Sequence, residues 1–206
     1  MEKDKRWVTT LDELTFAVID LETTGLHANR GDAVCEVGLV KVEGWSLTPI
    51  MSELVNPQKR IPPSAGRVHG ITDAMVSIAP PIDQILPIMK DHFEGCVLAA
   101  YNAPFELGFL GNAFREKNIH TPSLPCLDLF ALARAIVISR SGYALRKIAP
   151  VLGIEDKQDH RALGDALIAG KVLQALAEIL RFQGVENLLD LRNSYGEHIV
   201  FEANLI

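Results

Sequence analysis

The chain has 206 residues, 48% of them hydrophobic and 22% charged, which is typical of a globular domain with a substantial core. No apolar run reaches the roughly 18 residues that a membrane helix needs, and the charged residues 1–6 are not typical of a secretory signal. The net charge of −6 argues against binding nucleic acid by neutralising its phosphates, unless bound cations supply positive charge locally.

The three cysteines, Cys35, Cys96 and Cys126, are far apart and lie in or beside apolar stretches. A disulfide framework or a zinc cluster needs other spacings. We therefore expect buried, reduced thiols in a cytoplasmic protein that does not associate with membranes.

In the first half of the chain, alternating or short apolar runs predict strands at 16–22, 33–43, 46–55 and 96–101. Gly44 and Trp45 form a tight connection between the second and third strands. A proline-bearing loop occupies 56–63, and 82–94 has the spacing of a helix.

The second half is mostly helical. Pro104 suits the N1 position of a helix at 104–117, and 126–129 is a candidate fifth strand. The spacing then predicts three helices, at about 130–138, 143–152 and 161–182. Three antiparallel strands, then strands alternating with helices, then helices alone indicate an α/β fold with a mixed sheet flanked by helices.

The main domain is placed at 1–182, with its core at about 14–182. The tail at 183–206 is left unassigned. It contains one alternating piece at 198–202, which suits pairing with a sheet edge in a dimer.

Two carboxylates lie at the end of the first predicted strand. Because side chains alternate along a strand, Asp20 and Glu22 share a face with Phe16 and Val18. Neighbouring acids in an apolar strand repel each other and are costly to bury unless they are paired or bind a metal, and oxygen ligands suit Mg²⁺ or Mn²⁺. The alternative is a solvated pair at a strand end.

The turn after this strand favours a functional site. It consists of Thr23, Thr24 and Gly25, and a small polar turn with glycine lets backbone N–H groups come close to a substrate.

A third acid lies in the last long helix. Asp165 falls on a stripe with Ala162, Ile168, Ala169 and Val172 that is otherwise apolar. Small residues let this helix approach the sheet closely, which would bring Asp165 near the strand-end acids. The alternative is an acid at the edge of an amphipathic face.

His160 precedes Asp165 by five residues, about 140° around a helix. Both face one site only if His160 lies at or before the helix start, where Asp159 suits the N-cap position. A histidine in a loop over a metal site is placed to take a proton from water. The commoner alternative is an isolated exposed histidine.

A fourth acid, Glu106, falls in the first turn of the helix at 104–117. An acid in a first turn also stabilises the helix dipole, by roughly 0.3–1 kcal/mol, so this position has a structural alternative. The functional interpretation is a further metal ligand beside the first strand.

Together these segments resemble the DnaQ-like DEDDh 3′–5′ exonucleases, a family with a ribonuclease-H-like fold. Residues 16–26 resemble the first motif, 68–72 the family's HGIT stretch, 101–106 the second motif and 160–165 the third. Their order and separations fit from about residue 14 to 182. The resemblance implies a five-stranded mixed sheet flanked by helices.

The resemblance also implies two divalent cations, Mg²⁺ or Mn²⁺, held by acidic side chains. Asp20 would bridge both ions, Glu22 and Asp165 would bind the inner ion, and Glu106 would be a ligand of the outer one. His160 would take a proton from the attacking water, and a 5′-nucleotide would leave.

The substrate contacts follow from the same resemblance. The terminal nucleotide would meet the turn formed by Thr23, Thr24, Gly25 and Leu26. Asn102 would fix the second motif and the sugar, with Phe105 beside it in the motif. For His69, contact with the terminal nucleotide and a structural cap both stay open.

Two positions depart from the family pattern. Glu106 stands where the family normally has aspartate, and Tyr101 stands where it commonly has histidine. The extra methylene of Glu106 moves its carboxylate roughly 1.5 Å farther from the backbone, and metal geometry is sensitive to a few tenths of an ångström. The departure is compatible with a preference for Mn²⁺ or slower turnover.

Two functional hypotheses follow. The first is an active exonuclease on a single-stranded DNA or RNA 3′ end, and the second is a weak or inactive module that binds nucleic acid or associates with a polymerase. Self-association through the tail is a further partner hypothesis. The choice among proofreading, repair and RNA processing is open because one fold serves all three.

Overall fold

The computed structural model describes residues 4–121, 123–155 and 161–205. Within these ranges the strands, in chain order, are β1 (Thr15–Thr23), β2 (Val34–Glu43), β3 (Ser46–Leu54), β4 (Val97–Ala100), β5 (Leu124–Asp128) and β6 (Val200–Ala203). The α-helices are α1 (Pro63–His69), α2 (Asp73–Val76), α3 (Ile82–Phe93), α4 (Ala103–Glu116), α5 (Leu129–Ile136), α6 (Leu145–Val151), α7 (Ala162–Phe182) and α8 (Leu188–Tyr195).

The strands of the described residues form one six-stranded sheet in the order β3-β2-β1-β4-β5-β6. The pairs β1–β2, β2–β3 and β5–β6 are antiparallel, whereas β4 is parallel to both β1 and β5. The predicted mixed sheet with flanking helices is therefore confirmed. The sixth strand comes from the tail, which pairs with β5 of its own chain.

Helices cover both faces of the sheet. On one face, Phe16 and Val18 of β1 belong to the same apolar cluster as Val172 and Leu176 of α7. On the other face, Ala17 and Ile19 join a cluster with buried side chains of α3 and α4, which are Leu86, Met89, Phe93, Phe109, Leu110 and Phe114. The alternation predicted for the first strand thus separates two cores, and the face that bears Asp20 belongs to α7.

Close packing of α7 on the sheet depends on Gly38 of β2. A Cβ atom on Gly38 would lie 2.2 Å from the carbonyl carbon of Ala162, closer than real Cβ atoms approach backbone. A Cβ atom on Gly170 would lie 2.9 Å from Cδ2 of Leu47, which is the far end of a flexible side chain and can turn aside. Gly38 is therefore needed for the observed separation of helix and sheet.

Several elements lie where no element was predicted. The chain from 63 to 76 contains α1 and α2, of which α2 begins with Thr72 as an N-cap. The tail contributes α8 as well as β6. The three cysteines are buried free thiols, as predicted. Of the helices that the structure describes, none combines the length and apolar character required to cross a membrane.

Candidate functional site

The three acids predicted to meet do meet. One carboxylate oxygen from each of Asp20, Glu22 and Asp165 lies within 4.8 Å of the others. Asp20 and Glu22 project from the end of β1, and the first turn of α7 supplies Asp165. The two segments are far apart in sequence, and the packing of α7 on β1 brings them together.

Burial and mutual repulsion raise the pKa values of Asp20 and Glu22. The pKa of Asp20 is raised well above its usual range, first because the carboxyl is buried and then because of the charges of Glu106, Asp165 and Glu22. Burial, followed by the charges of Asp165 and Glu36, raises the pKa of Glu22 to about 8. A divalent cation would remove this repulsion by taking the place of the protons.

Glu106 lies next to this cluster without being part of it. Its side chain, in the first turn of α4, is 4% exposed, and among the described residues its Oε2 has no hydrogen-bond partner. Burial is the main cause of the raised pKa of Glu106, and the charges of Asp128 and Glu22 add to it. A buried carboxylate oxygen without a partner is rare, because no hydrogen bond offsets the free-energy cost of removing the oxygen from water.

This donor set fits a hard divalent cation. The cluster offers three carboxylates, and Glu106 beside it offers a fourth. The described residues of the cluster include neither thiolate nor imidazole, and oxygen ligands are those that Mg²⁺ and Mn²⁺ prefer. The unpartnered Oε2 of Glu106 is the atom that a cation near Asp20 would satisfy.

An ion pair between the half-buried Arg161 and the buried Glu36 fixes the start of α7. Glu36 of β2 is 1% exposed, and Nε of Arg161 donates to its two oxygens at 2.9 and 3.0 Å. The backbone N–H of Ala162 donates to Oε2 of Glu36 at 3.0 Å. Glu36 thereby holds the first turn that carries Asp165. Glu36 was not among the predicted site residues, although it stands as an acid inside the apolar run of the second predicted strand.

A second missed acid orders the other side of the site. Asp128 ends β5 and accepts hydrogen bonds from the backbone N–H groups of Phe130 and Ala131, at 3.0 and 3.2 Å. Burial raises its pKa, and the backbone N–H groups of Asn102 and Ala103 act against that rise. Asp128 therefore links the start of α5 to the start of α4, the helix that carries Glu106.

Asn102 has an exposed side chain and a left-handed backbone, with φ of 81°. Such a conformation costs free energy in a residue other than glycine and occurs often at functional sites. Phe105, in the first turn of α4, packs against Phe109 with 5.0 Å between the ring centroids. Their roles toward substrate stay predictions.

The turn after β1 is held by its own hydroxyl groups. Oγ1 of Thr23 donates to the carbonyl of Gly25 at 2.6 Å, and the N–H of Ala33 donates to Oγ1 of Thr24 at 3.0 Å. Leu26 is 75% exposed at the tip of this turn. Of the four residues predicted to contact the terminal nucleotide, Leu26 is the one whose side chain is freely available.

His69 is buried below this turn. Its Nδ1 accepts the N–H of Ile71 at 3.0 Å, and its Nε2 is 3.9 Å from Sγ of Cys35. These contacts favour the structural cap over substrate contact. His160, with its suggested N-cap Asp159, lies outside the described residues.

Comparison with known proteins agrees with this geometry. The sequence model of the RNase T exonuclease family matches residues 17–173, which is most of the chain. The chain belongs to this exonuclease family. The resemblance to DnaQ-like exonucleases is thus confirmed.

Two relatives illustrate the match of this exonuclease domain. A protein of Mycobacterium tuberculosis that carries a bifunctional exonuclease/endonuclease name is 40% identical over 191 residues, which are 89% of this chain and 30% of that protein. The 3′-5′ exonuclease DinG of Bacillus subtilis is 29% identical over 190 residues, 92% of this chain and 20% of that protein. Other relatives carry DNA polymerase III names. The chain thus spans less than a third of the length of these relatives.

A solved structure shares the fold over nearly its whole length. Exonuclease X in complex with duplex DNA bearing a 5′ overhang has 25% sequence identity and a TM-score of 0.62, and the match covers 83% of this chain and 93% of that one.

Proposed function

We propose that the chain is a metal-dependent 3′–5′ exonuclease that removes 5′-nucleotides from the 3′ end of a nucleic-acid strand. The observation that carries the proposal is the convergence of three carboxylates within 4.8 Å, beside the buried and unpartnered Oε2 of Glu106. The relative DinG is named as a 3′-5′ exonuclease, which supports the polarity.

Each acid has a role in this proposal. Asp20, Glu22 and Asp165 would hold one divalent cation, and Asp20 with Glu106 would hold a second. Bound Mg²⁺ or Mn²⁺ supplies counter-charge for the phosphate and Lewis acidity at the attacking and leaving oxygens. An imidazole nitrogen of His160 would accept the proton of the attacking water. The water oxygen bonds to phosphorus, the bond from phosphorus to O3′ breaks, and O3′ of the shortened strand gains a proton.

The strand end would enter between two parts of the site. The exposed Leu26 and the backbone of the turn after β1 would face the terminal base, and the side chain of Asn102 would face the sugar. DNA is bound in the structure of Exonuclease X, which supports a nucleic-acid substrate. The polymerase III names among the relatives support association with a polymerase.

The test is stepwise shortening of 5′-labelled single-stranded and duplex DNA and RNA in Mg²⁺ or Mn²⁺. Shortening from the 3′ end with release of mononucleotides is expected, and a 3′-blocked strand should resist. Asp20→Asn removes one charge with little change in shape and is expected to lower the rate at least ~100-fold, a size typical of losing a charge-stabilising group in an active site.

Asp83→Asn is the matched control, because Asp83 is an exposed acid in the first turn of α3. It should cut like the parent protein. Equal rates for Asp20→Asn and the parent would contradict the proposal. Binding of 3′ ends without cleavage in either metal would favour the weak or inactive module, for which Glu106 in place of aspartate is the specific observation.

A further inference from the structure

The longest stretch of this acidic chain without an Asp or Glu residue carries net positive charge. Residues 129–154, here called the basic segment, contain four Lys or Arg residues and no Asp or Glu. The rest of the chain has 16 basic against 26 acidic side chains. A separation of charge this strong sets the field near the segment apart from that of the whole molecule.

The basic segment makes one contact with the carboxylate cluster and one with the second motif. Nη2 of Arg146, in α6, lies 2.6 Å from Oδ1 of Asp165. The hydroxyl of Tyr101, just past the end of β4, donates to the carbonyl of Tyr143 in the loop between α5 and α6. Tyr101 stands where the family commonly has histidine. In this chain its hydroxyl holds the loop between α5 and α6 against the second motif.

The loop at 137–144 is ordered by its own hydrogen bonds. The Tyr143 hydroxyl donates to the carbonyl of Val137 at 2.9 Å, and Oγ of Ser139 donates to the carbonyl of Gly142 at 2.8 Å. Arg140 in this loop and Lys147 in α6 are exposed. These charges are therefore presented to solvent from a fixed backbone, which lowers the entropic cost of binding an extended partner.

We propose that the basic segment binds the phosphates of the nucleic-acid strand upstream of its 3′-terminal nucleotide. This inference rests on the proposed function, since the strand must end at the carboxylate cluster. The acidic site and the net charge of −6 repel a polyanion. Attraction for the phosphates would come from three exposed basic side chains, which are Arg134, Arg140 and Lys147. Contacts of this kind position a strand without reading its sequence.

The test compares two double variants of the full chain that lose the same charge. Arg140→Ala/Lys147→Ala alters the basic segment. Lys117→Ala/Arg181→Ala alters exposed residues at the far ends of α4 and α7, and Arg181 lies about 24 Å along α7 from Asp165 by the rise of a helix. Binding of a labelled single strand is measured in Ca²⁺ at several salt concentrations, and turnover in Mn²⁺ is measured separately.

Two lost phosphate contacts should lower the slope of log K against log salt by about 1.4, and weaken binding about 10- to 30-fold near 0.1 M salt. The control pair should keep the parent slope. In Mn²⁺, kcat/KM of the segment variant should fall far more on a strand than on the p-nitrophenyl ester of thymidine 5′-monophosphate, which has no upstream phosphates.

The inference is overturned if the two double variants bind the strand equally well. That result would favour an acidic protein, in place of nucleic acid, as the partner of the basic segment. Failure of the proposed function looks different, because the parent protein would then hydrolyse neither the strand nor the ester. The salt dependence of binding would still report on the segment in that case.

Discussion

Glu106 and Asp128 are neighbouring buried acids that differ in their hydrogen bonding. Asp128 accepts two backbone hydrogen bonds, whereas Oε2 of Glu106 has no partner among the described residues. A polar atom left in this state costs stability in the metal-free protein. We interpret the cost as one that a bound cation offsets, as is common where function and stability compete.

Glu106→Gln should separate the destabilisation of the metal-free protein from the stabilisation that a bound cation provides. At pH 8 the folded metal-free protein keeps a proton on Glu106 that the unfolded chain releases, so replacing this carboxyl is expected to raise the free energy of unfolding by about 1–3 kcal/mol. The same variant should lose most of the stabilisation that Mn²⁺ gives the parent. Thermal unfolding with and without Mn²⁺ measures both, and a variant less stable than the parent without metal would contradict the interpretation.

Glu22 makes the stability of the metal-free protein depend on pH. Its pKa is about 8 in the folded chain, against an ordinary value of 4.5. Between these values the folded protein keeps a proton that the unfolded chain releases, so the free energy of unfolding should fall as pH rises. Urea unfolding between pH 5 and pH 8 measures this slope.

Glu22→Gln should reduce that slope by the contribution of one proton, and the contributions of Asp20 and Glu106, whose pKa values are also raised, should remain. Glu178→Gln, which changes an exposed acid on α7, should leave the slope as in the parent. Saturating Mn²⁺ should reverse the trend, because metal binds the deprotonated acids. Parallel slopes for Glu22→Gln and the parent would contradict the assignment of this proton to Glu22.

At the scale of elements, β2 decides where α7 begins. Gly38 stands opposite Asp20 in the β1–β2 pair, and its missing side chain leaves room for the backbone of Ala162. Two residues earlier, Glu36 holds that same backbone by a hydrogen bond. The missing side chain of Gly38 and the hydrogen bond accepted by Glu36 therefore fix the position of Asp165 relative to Asp20. Both residues belong to β2.

Gly38→Ala tests this dependence. The added Cβ would meet the Ala162 backbone at 2.2 Å, so α7 has to move and the carboxylates separate. We expect a loss of roughly 1–3 kcal/mol, as in other overpacked sites, together with a large fall in nuclease rate and in Mn²⁺ affinity.

Gly108→Ala is the matched control, because a Cβ on this α4 glycine meets nothing within 4 Å. It should leave the rate unchanged and stabilise the helix by about 0.5–1 kcal/mol. Equal rates for Gly38→Ala and Gly108→Ala would show that the start of α7 is not fixed by β2.

On the scale of the whole molecule, the tail is built into the fold. Helix α8 buries Leu188 and Leu191 in the same cluster as α7, and β6 extends the sheet beside β5. The alternating piece of the tail pairs within its own chain and does not need a second copy.

Leu191→Ala is expected to destabilise the protein by about 2–5 kcal/mol, as large-to-small changes in a core do. Leu189→Ala, two residues away, should cost less than ~1 kcal/mol, since Leu189 is 41% exposed whereas Leu191 is fully buried. Chemical denaturation measures both. Similar losses for the two variants would contradict the role of α8 in the core.

Much of the sheet and the last long helix was predictable because their patterns are local. Alternation in 16–22 placed Asp20 and Glu22 on one face, and the stripe around Asp165 showed which side of α7 would be buried. The short helices at 63–76 escaped prediction, because they have few turns over which a period is visible. The alternation at 198–202 was visible in the tail, but its pairing with β5 of the same chain was not.

By itself the sequence determined the acids of the site, their order along the chain and the family. Only the tertiary structure decided which residues hold those acids in place. The Glu36–Arg161 pair joins residues 125 positions apart, and the hydroxyl of Tyr101 reaches a carbonyl 42 positions away. Side-chain periodicity is a property of near neighbours, whereas such pairs form only after strand order and helix packing have brought distant segments into contact.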